Sequence, residues 1–200
     1  MFPLTKRHFI LASASPRRLA LLQQIGLEPE ICVAQAKEAN HIPAEGPHAL
    51  VIHNAKEKAA AAKEKCGQQD ALLLAADTVV VQEGVLFGKP ASAEEALTML
   101  HSLSGHSHQV FTGCCLLDLA TGQEVTGFSV TTVRFGKLTE EEIQAYLATG
   151  EPMDKAGAYG IQGKGALLVQ EIQGDYNTVV GLPLYLLKEL IQQLKMQREE

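Results

Sequence analysis

Tryptophan is absent from these 200 residues, and all aromatics together make up only 5% of them. Grooves for single-stranded nucleic acid stack bases on aromatic rings, so that role is poorly supplied. There is no long basic block either, and the formal net charge is -6, which argues against tracking a DNA or RNA backbone. Any anionic partner is therefore small and held by a few local cations. No apolar run approaches the ~20 residues of a membrane span, and the start MFPLTKRHFILASA lacks the apolar centre of an export signal. A soluble, unexported chain without a membrane partner is expected. Cysteine is scarce: Cys32, Cys66, Cys114 and Cys115 show no CxxC spacing and no partnered histidine pattern. Inert or buried thiols in a reducing cytoplasm are expected, rather than structural zinc or a disulfide framework. Repeats, low-complexity tracts and long linkers are missing as well, so residues 1–200 read as one domain.

What remains alternates between strand and helix signals. RHFILA reads as a short strand and SPRRLALLQQIG as a helix, with Ser15 as cap, Pro16 in the first turn, a stripe of Leu19, Leu22 and Ile25, and Gly26 as the stop. Residues 48–66 form an Ala-rich helix ended by Gly67. ALLLAADTVVVQ is a buried strand, followed by a turn at Glu83-Gly84 and a return VLF. Capping boxes pair Ser92 with Glu95 and Thr139 with Glu142 at the starts of two further helices. Between them, 108–119 and 124–135 alternate as an antiparallel pair across Gly122. A strand near 166–172 precedes a helix at 183–198, whose stripe of Leu184, Leu187, Ile191 and Leu194 serves core packing or a dimer face. Interleaved helices, strands and hairpins predict an α/β fold around a mixed sheet.

Two features point to chemistry. Arg17 and Arg18 occupy the first turn of a helix, where the dipole is positive. A docked phosphate would offset that repulsion, since it meets free backbone N–H groups and two guanidinium forks there; the alternative is that both arginines bend into solvent. Asp77 lies inside LLLAADTVVV with apolar residues on both sides. A buried carboxylate costs several kcal/mol unless it meets a cation or a metal, so metal coordination or activation of a water competes with simple capping of backbone N–H groups. Lys56, Lys58 and Lys89 read singly as solvated surface. EPMDKAGAYGIQGKGA carries four glycines in sixteen residues, fitting either a close backbone approach to a ligand or an irregular loop. His101, His106 and His108 match no zinc motif and are expected in a loop after the helix at 92–103.

Taken together, LASASPRRLALLQQIG, AADTVVV, GKP, LSGHSHQVFTG, MDKAGAYGIQG and GDYNTVVGLPL resemble the Maf family of nucleoside triphosphate pyrophosphatases, in order, from about residue 9 to residue 190. The resemblance implies a cytoplasmic, often dimeric enzyme with an elongated mixed sheet flanked by helices, like the inosine triphosphatases. It implies a divalent cation, Mg or Mn, and cleavage of a nucleoside triphosphate between its α and β phosphates. Residue by residue, the substrate-binding SxSPRR segment falls on Ser13, Ser15, Arg17 and Arg18, the helix lysine on Lys58 and the KP lysine on Lys89. The catalytic proton acceptor falls on Asp77, with Asp77 and Glu38 as metal ligands. KAGAYGIQG and VVGLPL are similar to the branch acting on dTTP and UTP, in which base choice is associated with the residues matching Arg17, Thr78 and Gln162. A glutamine amide carries a donor and acceptors, which suits the imide edge of uracil or thymine. Alternative readings are a 7-methyl-GTP or modified-pyrimidine pyrophosphatase, and a non-catalytic nucleotide sensor regulating septum formation.

Overall fold

The structure, a computed structural model, describes residues 5–67 and 70–199. Its strands form one mixed sheet in the order β2-β1-β3-β5-β6-β7, with β4 paired to β3. The chain divides into two compact units. The first comprises the chain up to Asp77, Thr112–Ser129 and the chain from Gly181 on; the second comprises Thr78–Phe111 and Val130–Val180.

In the first unit, β1 (His8–Leu11) pairs in parallel with β2 (Glu30–Ile31) and with the first half of β3 (Ala71–Gln82), Phe9 opposite Leu72. Parallel strands need a covered face. Helix α2 (Pro47–Cys66) supplies the cover with Ala55, Ala59 and Ala62, fully buried against Ile10, Leu73 and Ala75. The small side chains let helix and sheet approach closely. At Gly113 on β5 (Ser107–Asp118) an added Cβ would stand 2.5 Å from the Val51 carbonyl carbon. Helix α1 (Pro16–Gln24) is capped by Ser15, but the residues it buries fully are Leu21 and Leu22, while Leu19 and Ile25 of the expected stripe are half-buried. Helix α6 (Leu184–Glu199) buries Leu187, Leu190, Ile191 and Leu194, so its stripe serves the core. Cys32 and Cys66 are joined in a disulfide. That corrects the expectation of unpaired thiols for these two, because folding of α2 back along the sheet brings together residues 34 apart in sequence.

In the second unit, β3 continues to Gln82, turns at Glu83 and Gly84, and returns antiparallel as β4 (Val85–Phe87). Helices α3 (Ala93–Leu103) and α4 (Glu140–Leu147) bring Leu100, Leu103 and Ile143 onto Phe135 and Val133 of β6 (Glu124–Phe135), which pairs antiparallel with β7 (Val169–Gln173). The Thr139/Glu142 capping box is complete. At α3 only half of it forms: Ser92 accepts from the Glu95 N–H, but the Glu95 carboxylate accepts from Ala91 instead. The three histidines do not share a loop. His101 lies on α3 with Nε2 3.1 Å from a Glu140 oxygen, and His108 is buried on β5, leaving only His106 between the two elements. A short helix α5, Tyr176–Val180, follows β7. Among the described residues, no helix is long and apolar enough to cross a membrane.

Candidate active site

The loop between β1 and α1 determines what the two arginines do. Ser15 caps α1, its hydroxyl accepting from the Arg18 N–H, and no acidic residue occupies the first turn to neutralise the dipole. Arg18 does not bend into solvent. Its Nε donates to the Gly181 carbonyl at 2.8 Å and one terminal nitrogen donates to Ser13 Oγ at 3.0 Å. Ser13 is itself buried and also accepts from the Ser15 N–H. Burial lowers the Arg18 pKa, partly countered by the negative charges of Asp77 and Glu38, which places this guanidinium in the field of the acidic residues described next. Arg17, one residue earlier, is half-buried.

Asp77 is 7% exposed, and each of its oxygens has a partner from one face of α2. Lys58 Nζ lies 2.6 Å from Oδ1, and Asn54 Nδ2 donates to Oδ2 at 3.0 Å. Four residues apart on a helix, Asn54 and Lys58 point the same way. Lys58 also reaches Glu38 Oε2 at 2.9 Å, and the same Asn54 amide donates to the Ala39 carbonyl and accepts from the Ala39 N–H. The exposed loop carrying Glu38 is thereby tied to the buried strand carrying Asp77. Lys58 leaves the solvated-lysine reading behind, whereas Lys56 keeps it, in an exposed pair with Glu124.

Two carboxylates, those of Asp77 and Glu38, converge on the Lys58 ammonium with hard oxygen donors. Among the described residues no group of three or more His, Cys, Asp or Glu could hold a metal. One or two protein carboxylates is the number that a hard divalent cation such as Mg takes where water and phosphate oxygens complete its shell.

The expected site residues divide between the two units. Ser13, Ser15, Arg17, Arg18, Glu38, Lys58 and Asp77 belong to the first, and Thr78, Lys89 and Gln162 to the second. Thr78 is half-buried; Lys89 and Gln162 are exposed. Within the second unit, the Gly157 N–H donates to the Gly88 carbonyl at 3.0 Å, joining the Gly-Lys-Pro turn to the glycine-rich segment. The glycines of that segment approach the protein's own side chains: a Cβ at Gly163 would stand 2.9 Å from Glu151 Oε2, and one at Gly160 would stand 2.7 Å from the Lys155 stem. Two contributors are absent from the sequence expectations. The Gly181 carbonyl carries no side-chain signal at all. Asn54 has one, a polar residue one turn before Lys58 in an alanine-rich helix, but it reads equally well as solvent-facing.

Residues 8–194 match the family of Maf-like proteins. The chain is similar to a Bacillus cereus protein named dTTP/UTP pyrophosphatase, 47% identical over 189 residues that cover 94% of this chain and 95% of that one. A Moorella thermoacetica protein of the same name is 50% identical over 185 residues, 91% and 92% of the two chains.

Proposed function

This chain belongs to the Maf family, and on that premise we propose that it hydrolyses dTTP and UTP to the monophosphate and pyrophosphate. The observation that carries the reading is the buried Asp77 carboxylate, gripped by Asn54 and by a lysine shared with Glu38. In a pocket that only bound phosphate, such a carboxylate would repel the ligand. We take residues 1–200 as one catalytic domain, since the family match runs through both units. We place it in the cytoplasm, as membership of the Maf family implies.

In this reading the N-terminus of α1, with Ser13, Ser15, Arg17 and Arg18, receives the phosphates through backbone and side-chain donors. Arg18 is already oriented by Gly181 and Ser13, so little rotamer entropy is lost on binding. An arriving triphosphate offers Lys58 a more highly charged partner than Asp77, which frees an Asp77 oxygen for water. Asp77 then orients that water for in-line attack on the α phosphorus and accepts its proton. Lys58 and Lys89 neutralise charge on the departing pyrophosphate. Asp77 and Glu38 would hold a divalent cation, Mg or Mn, which supplies Lewis-acid charge neutralisation at the phosphates. Arg17, Thr78 and Gln162 select the base, the glutamine amide pairing with the imide edge of uracil or thymine.

The test is pyrophosphate release from dTTP, UTP, CTP, GTP and 7-methyl-GTP with Mg or Mn. Release from dTTP and UTP in preference to the rest is expected. Preference for 7-methyl-GTP would reassign the branch, and binding without release from any nucleotide would make the protein a sensor.

A further inference from the structure

A glutamine amide offers a donor at one end and an acceptor at the other, and a half-turn of the side chain exchanges them. Thymine presents an acceptor at O4 where cytosine presents a donor at N4, so a freely turning Gln162 would serve both. Discrimination requires that the residue be held. Gln162 is exposed, so the hold has to come through its backbone.

That backbone is anchored on both sides by one pair of side chains. Glu151 Oε2 accepts from the Lys164 N–H at 3.1 Å, and Oε1 accepts from the Gly165 N–H at 3.2 Å and from the Tyr146 hydroxyl at 3.0 Å. The Tyr146 oxygen in turn accepts from the Gly160 N–H at 3.1 Å. Amides before and after Gln162 therefore end on Tyr146 and Glu151. The pair is itself fixed. Tyr146 is buried on α4, the Glu151 N–H donates to Thr149 Oγ1, and the Glu151 carbonyl accepts from Lys155 Nζ at 2.7 Å. The chain fits around the carboxylate only because residues are missing side chains: a Cβ at Gly165 would land on the Gly160 carbonyl oxygen and stand 2.7 Å from the Tyr146 hydroxyl. Burial pushes the Glu151 pKa up, but the two amides, the tyrosine hydroxyl and Lys155 together hold it below the usual carboxylate range, so these bonds are charge-assisted at neutral pH.

We propose that Glu151 and Tyr146 are positioning residues for base selection, which hold the backbone on both sides of Gln162 and thereby fix the point from which its side chain meets the base. The inference rests on Gln162 reading the base, and the experiment separates the two claims. Hydrolysis of dTTP and dCTP is compared for wild type, Gln162→Ala, Glu151→Gln, Tyr146→Phe and the double variant Glu151→Gln/Gln162→Ala. Glu151→Gln turns an N–H donor against a backbone N–H, and Tyr146→Phe removes the link to Gly160. Each is expected to raise KM for dTTP about tenfold with kcat within about twofold, and to cut the preference for dTTP over dCTP about tenfold. Neither effect should grow when Glu151→Gln is added to Gln162→Ala. Equal losses for both nucleotides, or losses that add in the double variant, would overturn the positioning role. An unchanged preference in Gln162→Ala would overturn the base-reading assignment itself, and the inference with it. Amide hydrogen exchange on the wild type needs no variant to fold: the Gly160, Lys164 and Gly165 amides should be protected without nucleotide, and exchange at the open-loop rate sinks the proposal.

Discussion

Lys58 Nζ lies 2.6 Å from Asp77 Oδ1, an ion pair between a helix and the central strand it covers. The same ammonium is 2.9 Å from Glu38, so it does not depend on Asp77 alone for a counter-charge. Asp77→Asn should therefore fold, with its melting temperature within a few degrees of wild type, because the usual penalty for stranding a buried charge is avoided. Turnover of dTTP and UTP should fall by about 10²–10⁴, the range of a lost general base. Circular dichroism beside pyrophosphate release checks both halves, and near-normal turnover in the folded variant removes Asp77 from catalysis.

Asn54 ties three groups together: the Asp77 carboxylate and both backbone groups of Ala39. In Asn54→Ala the Ala39 N–H and C=O lose these bonds, at a cost of about 2–3 kcal/mol. For a chain of this size that lowers the melting temperature by about 5–10 °C. The loop carrying Glu38 is released at the same time, so limited trypsin cleavage after exposed Lys37 should accelerate before global unfolding. Unchanged cleavage there would mean the loop is held by something other than Asn54.

How much of this was legible in the sequence varies by element, for physical reasons. Strand β3 is legible to the residue, since a continuous apolar run ends at a Glu-Gly turn and no other element explains so long a buried stretch. Asp77 stands out against that run for the same reason. Strand β2 leaves no signal, because its two residues are exposed and exist as a strand only through pairing with β1. The glycine spacing of 157–165 announces a close approach but not its object, and Glu151 lies just upstream looking like any solvated acid. Arg18 is legible as an anomaly at a helix start, yet its partner, the Gly181 carbonyl, is 163 residues away.

Gly113 lies hard against the α2 backbone, and an added Cβ would meet Val51 backbone atoms at 2.5 and 2.6 Å and the Ile52 nitrogen at 2.8 Å. Backbone cannot give way as a flexible side-chain end can. Gly113→Ala should destabilise the protein by about 2 kcal/mol. It should also push α2 outward, carrying Asn54 and Lys58 away from Asp77, and lower kcat/KM about tenfold or more through misplacement alone. Gly136→Ala, where a Cβ has open space, is the control and should stay within about 0.5 kcal/mol. Urea titration and steady-state kinetics on both variants decide the matter; equal behaviour of the two would show that the helix has room to spare.

His108 is buried on β5 beside the rings of Phe135 and Tyr159, with Nε2 2.7 Å from the Tyr159 hydroxyl and, among the described residues, no partner for Nδ1. Desolvation lowers its pKa from 6.5 to about 4, so the folded protein holds it neutral. The unfolded chain takes up a proton near the ordinary value, and between the two pKa values it binds more protons than the folded state. The contribution is thus complete above about pH 6.5 and is lost progressively as pH falls toward 4, with a total of about 3 kcal/mol. His108→Gln keeps a hydrogen-bond partner for Tyr159 and cannot titrate. Its own packing cost is the same at every pH, so the difference in unfolding free energy between wild type and variant should shrink or reverse from pH 7 to pH 4.5. Urea midpoints measured across that range test it, and two parallel curves would mean that His108 reaches solvent or a counter-charge before the protein unfolds.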